Sequence, residues 1–135
     1  MAGYSKRTLT AKLGLKSGLT VYLVNPPENY GDTLGPLPEG VTFVAPPEPA
    51  IDFIQFFTKS WPELADEFPR LKAAMAVDGM LWVSWPKKAS KVETDLNENI
   101  VREVGLANGL VDVKVCAVDA IWSGLKFVYR LKDRE

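Results

Sequence analysis

The stretch Met80–Trp85 (MLWVSW) decides the fold class, because it is apolar at nearly every position. A strand buried on both faces shows this pattern, and such strands lie inside parallel sheets that helices cover on each side. Leu19–Val24 and Ile51–Phe57 are rich in the β-branched and aromatic residues typical of strands. Val41–Val44 predicts a further short strand between them. The first three quarters of the chain therefore predict four strands, one of them fully buried.

Helices are predicted around these strands. One spans Thr8–Leu15, with Thr8 as its cap, and Pro27–Gly31 opens a short second one. The longest helix starts at Ser60, which can form a capping box with Glu63, and the pattern predicts that it ends at Gly79. Its buried face has spacings of four, three and four residues and consists of Leu64, Phe68, Leu71 and Met75.

Two details qualify the predicted helices. Pro69 lies within the apolar pattern of the long helix and predicts a kink or a restart there. The last helix is predicted to be capped by Thr94 or Asp95, with Asp95 and Glu98 in capping-box register. Its buried stripe consists of Leu96, Ile100, Val101 and Val104.

The C-terminal part predicts an antiparallel hairpin that follows a turn at Asn108 and Gly109. Val111, Val113, Val115 and Ala117 are expected to share one face, as are Leu125, Phe127, Tyr129 and Leu131, with Asp112, Lys114, Lys126 and Arg130 opposite. The alternation of strands and helices predicts one Rossmann-like α/β domain over residues 1–135. Its sheet is expected to be open and mostly parallel, with helices on both faces and the hairpin at its C-terminal end.

Composition excludes several function classes. Sixteen basic residues against seventeen acidic ones leave a net charge of −1, so we expect no nucleic acid as a partner, although a small basic patch is compatible with this balance. The apolar runs are too short for a membrane span, and a single cysteine suits the cytoplasm. The absence of histidine removes Ser-His-Asp and Cys-His catalysis and the usual zinc sites. We therefore predict no metal site and assign no catalytic residue.

Several segments resemble one bacterial family, known as domain of unknown function 3052, across nearly the whole chain. They are Ala11–Gly18, Leu34–Pro38, Leu81–Lys88, Gly109–Asp119 and Trp122–Phe127. That family has no established activity, so the resemblance implies no catalytic residue.

A looser resemblance is to S-adenosylmethionine-dependent methyltransferases, which also run from a helix through a Lys-x-Gly turn into a first strand. It implies a Rossmann-like fold with a terminal hairpin. Those proteins have a glycine-rich turn after the first strand, whereas this chain has Asn25–Glu28, in which two prolines remove amide donors. The dinucleotide fingerprint and the phosphate loop are also missing. The sequence therefore does not predict which cofactor, if any, the protein binds.

In an open parallel sheet, ligands bind outside the carboxyl ends of the strands, near the point where strand order reverses. The candidate site residues are therefore those that follow each strand. They are Asn25, Glu28, Tyr30, Trp61, Ser84, Trp85, Lys87 and Lys88. The alternative is that Trp61 and Trp85 belong to the rim of the core and that the lysines are solvated. Cys116 lies within a strand, where a thiol usually serves as inert packing.

These observations favour a non-catalytic binding or interaction module that uses this rim for a small ligand or a protein partner. The alternative is a diverged methyltransferase-like or nucleotide-binding enzyme whose cofactor loop contains no glycine. A third reading is a homo-oligomer that assembles through the edge of the hairpin. Whether the protein is an enzyme is left open by the sequence.

Overall fold

The structure is a computed structural model that describes residues 8–134. Within this range, six strands form one sheet and four α-helices flank it. The strands are β1 (Thr20–Val24), β2 (Thr42–Phe43), β3 (Ile51–Phe57), β4 (Met75–Pro86), β5 (Leu110–Ala117) and β6 (Trp122–Tyr129). The helices are α1 (Leu9–Leu13), α2 (Tyr30–Leu34), α3 (Trp61–Ala74) and α4 (Glu98–Ala107).

The strand order is β2-β1-β3-β4-β6-β5. The first four strands are parallel, whereas β6 is antiparallel to both β4 and β5. After β2 the chain crosses to the other side of β1, so strand order reverses between β1 and β3. The predicted fold class, a mostly parallel α/β sheet with a C-terminal antiparallel hairpin, is confirmed.

Helices cover both faces of the sheet and enclose two apolar cores. One core contains the apolar faces of α3 and α4, including Phe68 and Val101. The other contains residues of α1 and α2, including Leu13 and Leu34. The Nε1 group of Trp82 on β4 donates to the Leu13 carbonyl at 2.9 Å, which ties α1 to the middle of the sheet. The apolar stretch at Met80–Trp85 is thus a central strand, as its composition predicts.

Helix α3 differs from its prediction at both its middle and its end. It runs continuously through Pro69, which has no amide to donate to the carbonyl of Ala65, four residues earlier. Both residues are exposed, so water can take the place of that amide. The helix ends at Ala74, and Met75 already belongs to β4. Gly79 is therefore a strand residue. A Cβ atom there would lie 2.8 Å from the Asp52 carbonyl oxygen, so the close approach of two strands requires glycine.

Helix α4 starts later than predicted. Asn97 is its cap, and its side chain accepts a hydrogen bond from the Ile100 amide at 2.9 Å. Thr94 and Asp95 bind residues at the start of α3 instead. Thr94 donates to the Lys59 carbonyl at 2.6 Å, and Asp95 accepts from the Trp61 amide at 2.7 Å. The loop between β4 and α4 is thereby held against the start of α3.

A β-bulge in β5 overturns the predicted alternation of its side chains. The pairing with β6 shifts between Asp112 and Lys114, so Val113 has no partner residue. Asp112 shares a face with Phe127 and forms an ion pair with Arg102 of α4 at 2.9 Å. Lys114 pairs with Lys126 on the opposite face. The predicted charged face is therefore divided between the two sides of the sheet.

Between residues 8 and 134, no helix is long and apolar enough to cross a membrane.

Candidate functional site

The reversal of strand order places the expected ligand crevice at the carboxyl ends of β1 and β3. Val24 ends β1 and Phe57 ends β3, and Val24 pairs with Phe56 at this edge of the sheet. The residues that follow these two strands are therefore the ones that would line such a crevice.

Asn25 connects the turn after β1 to the end of β3 and to α3. It adopts a left-handed conformation with φ 56°, which asparagine tolerates better than most residues. Its Nδ2 group donates to the Phe57 carbonyl and to Oε2 of Glu63, both at 3.4 Å. Pro26 and Pro27 follow and supply no amide donor. The turn therefore offers side chains to a ligand rather than a row of backbone amides.

Glu63 also contacts this turn, although its position in the sequence indicates only a capping role. The amide of Glu63 does bind the Ser60 hydroxyl, at 3.2 Å, as the capping-box pattern predicts. Its carboxylate does not return to the Ser60 amide. It accepts a short hydrogen bond from Thr58 and the longer one from Asn25. Glu63 lies in the first turn of α3, six residues beyond the end of β3, and is exposed. Its place near a strand end is the signal that could have identified it.

A buried polar chain lies near this end of the sheet. The Tyr30 hydroxyl donates to Oε1 of Gln55 at 2.6 Å, and Nε2 of Gln55 donates to Oγ of Ser84 at 3.2 Å. All three side chains are buried. Burial raises the pKa of Tyr30, which therefore stays protonated. Tyr30 and Ser84 were candidate ligand contacts, but here they connect α2, β3 and β4 inside the molecule.

The end of β4 has its own depression, of about 430 Å³. Trp85 is only 5% exposed and forms part of its floor, in line with the alternative that places it in the core. Lys88 and Lys91 lie on its wall, in and after a short 3₁₀ turn at Lys88–Ser90. The Lys87 amide donates to the Ile121 carbonyl at 2.8 Å, which anchors this turn to the strand connection.

Trp61 is separated from the other candidates. Its side chain is 51% exposed and lines a groove of about 620 Å³ between α3 and α4. Ile100 and Val104 form part of the apolar wall of the groove, and Glu103 adds a carboxylate. The structure therefore brings only Asn25 and Glu28, of the eight candidates, to the turn at the switch point, where both are exposed.

The described part of the chain offers carboxylates, amides, hydroxyls, ammonium and guanidinium groups and the thiol of Cys116. Among residues 8–134, no group of three or more acidic or cysteine side chains could hold a metal ion. Cys116 is half-buried, and burial raises its pKa although Lys12 and Lys114 lie near enough to oppose the shift. The thiol is therefore not activated as a nucleophile.

Comparisons with known proteins identify the fold. No family model and no curated protein matches the chain, so the resemblance to domain of unknown function 3052 is not confirmed. Solved structures do match. The magnesium protoporphyrin IX methyltransferase of Synechocystis PCC 6803, solved with bound SAM, superposes with a TM-score of 0.61 at 15% identity, over 90% of this chain and 74% of that one.

Two more solved structures agree with this result. A SAM-dependent methyltransferase from Aquifex aeolicus has a TM-score of 0.57 at 17% identity, over 88% of this chain and 86% of that one. The 1,6-didemethyltoxoflavin-N1-methyltransferase of Burkholderia thailandensis has a TM-score of 0.52 at 17% identity, over 88% and 73% of the two chains. The chain thus has the Rossmann-like fold of SAM-dependent methyltransferases.

Proposed function

We propose that this chain is a methyltransferase-like protein that binds S-adenosylmethionine, or a close analogue, at the switch point between β1 and β3. The observation that carries the proposal is the exposed pair Asn25 and Glu63 at this point, in a fold shared with a methyltransferase solved with bound SAM. Side chains would replace the missing glycine turn.

The chemistry of the crevice suits a ligand with positive charge. S-adenosylmethionine carries an ammonium and a sulfonium group, and when bound it supplies a methyl group. The segment 25–34 contains Glu28 and Asp32 and no basic residue, and Glu63 adds a third carboxylate from α3. Glu63 would accept from the ammonium group, and Asn25, whose Nδ2 group donates to Phe57 and Glu63, would hold that carboxylate in place. The two prolines leave these side chains as the means of recognition.

The test is ligand binding by the full chain, measured by thermal unfolding and by calorimetry with S-adenosylmethionine, S-adenosylhomocysteine and ATP. We expect the S-adenosyl compounds to stabilise the protein by RT ln(1 + [L]/Kd), which is about 2.7 kcal/mol at a hundredfold excess over Kd. Glu63→Gln should weaken binding about tenfold, since a hydrogen bond to a charged group is lost. Asp66→Asn, an exposed change on the same helix, is the matched control. No response to either S-adenosyl compound would contradict the proposal.

A non-catalytic binding module is the second candidate, and the Asn25 bridge favours it. The bridge joins the turn after β1 to the Phe57 carbonyl and to α3, so the crevice is already spanned by the protein's own hydrogen bonds. Under this candidate the stiff Asn25–Glu28 turn is a recognition surface for another partner. The same ligand panel would then leave the melting temperature unchanged.

A further inference from the structure

Two lysines face each other across the hairpin. The bulge at Val113 brings Lys114 of β5 directly opposite Lys126 of β6, on the face of the sheet that α1 covers. Side chains in such a pair lie about 5 Å apart at their Cβ atoms, and like charges there are destabilising. The hairpin therefore concentrates positive charge at one point.

The end of α1 adds two more lysines to this point. The Lys114 ammonium donates to the Lys12 carbonyl at 2.6 Å. The Lys126 ammonium lies 3.5 Å from the place where a Cβ atom of Gly14 would be. Lys16 follows two residues later and is close enough for its charge to act on Lys126. Lys12, Lys16, Lys114 and Lys126 thus surround the end of α1; we call them the lysine cluster.

No carboxylate neutralises the lysine cluster within the part of the chain that the structure describes. The ion pairs there use Arg70, Arg102 and Arg130, and none uses these lysines. Lys126 is half-buried, and burial, then Lys114 and Lys16, lower its pKa. A partly buried ammonium group surrounded by like charges is costly unless an anion joins it.

We propose that the lysine cluster is a binding site for a small anion of the phosphate class that carries several negative charges. Several ammonium groups in one place are best balanced by a multivalent anion, and lysine binds phosphate as a point charge. The chain's net charge of −1 does not favour a long polyanion. The site is separate from the switch point, because β4 lies between β3 and β6.

The experiment is a titration of the full chain with pyrophosphate at low salt, followed by calorimetry and thermal unfolding. Lys126→Met should weaken binding at least about tenfold, because a charge-assisted hydrogen bond is removed. Lys132→Met, an exposed change beyond β6, should bind as the unchanged protein does. Without anion, Lys126→Met should raise the melting temperature, since repulsion is relieved, and this separates loss of a site from loss of folding.

Four results would overturn the proposal. Equal pyrophosphate affinity for the Lys126→Met and Lys132→Met variants would place the anion elsewhere. A lower melting temperature of Lys126→Met without anion would show that the charges are not in conflict. Equal affinity for citrate and for pyrophosphate would show that the site does not prefer phosphate. Tighter binding of an oligonucleotide, at matched phosphate concentration, would assign the cluster to nucleic acid.

Discussion

At the scale of a residue, the titration of Tyr30 makes the stability of the folded protein depend on pH. Its pKa is raised above the ordinary value of 10.0 because the hydroxyl is buried. Above pH 10 the unfolded chain therefore releases this proton while the folded chain keeps it. The contribution of Tyr30 to the free energy of unfolding is therefore complete below pH 10. Above pH 10 it declines by about 1.4 kcal/mol per pH unit.

The corresponding prediction compares the unchanged protein with Tyr30→Phe in urea unfolding between pH 8 and pH 11. At pH 8 the variant should be less stable by about 1–3 kcal/mol, since Gln55 loses its donor inside the core. Above pH 10 the stability of the variant should fall less steeply. Parallel pH profiles for the two proteins would show that Tyr30 does not hold its proton in the folded state.

Gly105 predicts a second effect at the scale of a residue. It lies in α4 against Phe127, and a Cβ atom there would overlap the ring. Gly105→Ala should therefore destabilise the protein by about 1–3 kcal/mol or more through overpacking, as chemical denaturation would measure. Gly31→Ala in α2 is the control, because nothing lies within 4 Å of its Cβ position. A neutral Gly105→Ala would mean that α4 moves freely on the sheet.

The role of a single residue could be predicted where its contacts are with residues close in sequence. Thr8 was recognised as a cap because a hydroxyl before a helix binds an amide three residues on, and the structure has this bond at 3.2 Å. Tyr30 and Ser84 were assigned to the rim by their place after a strand or near its end. Their burial depends on Gln55, a distant partner in sequence, and local spacing does not indicate such contacts.

At the scale of an element, a substitution at the start of α4 can test which residue caps this helix. Asn97→Ala removes the cap and should cost about 1 kcal/mol of stability, as denaturant unfolding would measure. Asn99→Ala is the control, since its exposed bond to Arg102 contributes little. A loss from Asn99→Ala as large as that from Asn97→Ala would contradict the assignment of the cap.

Elements were predicted well where composition suffices and less well where two elements meet. The bounds of β3 agree with its β-rich run, Ile51–Phe57. Thr94 and Asp95 were expected to cap α4, but their partners are at Lys59 and Trp61, more than thirty residues away. The bulge at Val113 was missed because an unbroken apolar and polar alternation predicts a regular strand.

At the scale of the whole molecule, the order of the sheet predicts where the chain is most stable. Strands β3 and β4 are central and mostly buried, whereas β2 is short, exposed and at one edge. Native-state hydrogen exchange should therefore be slowest for amides of β3 and β4 and fastest among the strands for β2. Faster exchange in β3 than in the edge strand β5 would contradict this arrangement of the core.

The alternation of elements was enough to predict the architecture, but it could not assign the site. The switch point follows from strand order, and strand order depends on which strands pair. The sequence therefore could not show that Asn25 and Glu63 meet, nor that Trp61 lies apart from them in a groove between α3 and α4. Residues from separate strand ends come together only through the sheet.

The bulge in β5 also bears on the self-association of the protein. An edge strand has unpaired backbone groups and can nucleate aggregation when it is long and flat. Val113 and Val115 are both about half exposed on this edge, so a regular β5 would present a row of valines to a neighbouring chain. The inserted residue twists that edge and leaves Val113 out of the register in which Val115 pairs with Leu125. We therefore expect the bulge to disfavour uncontrolled strand addition when the folded protein is concentrated.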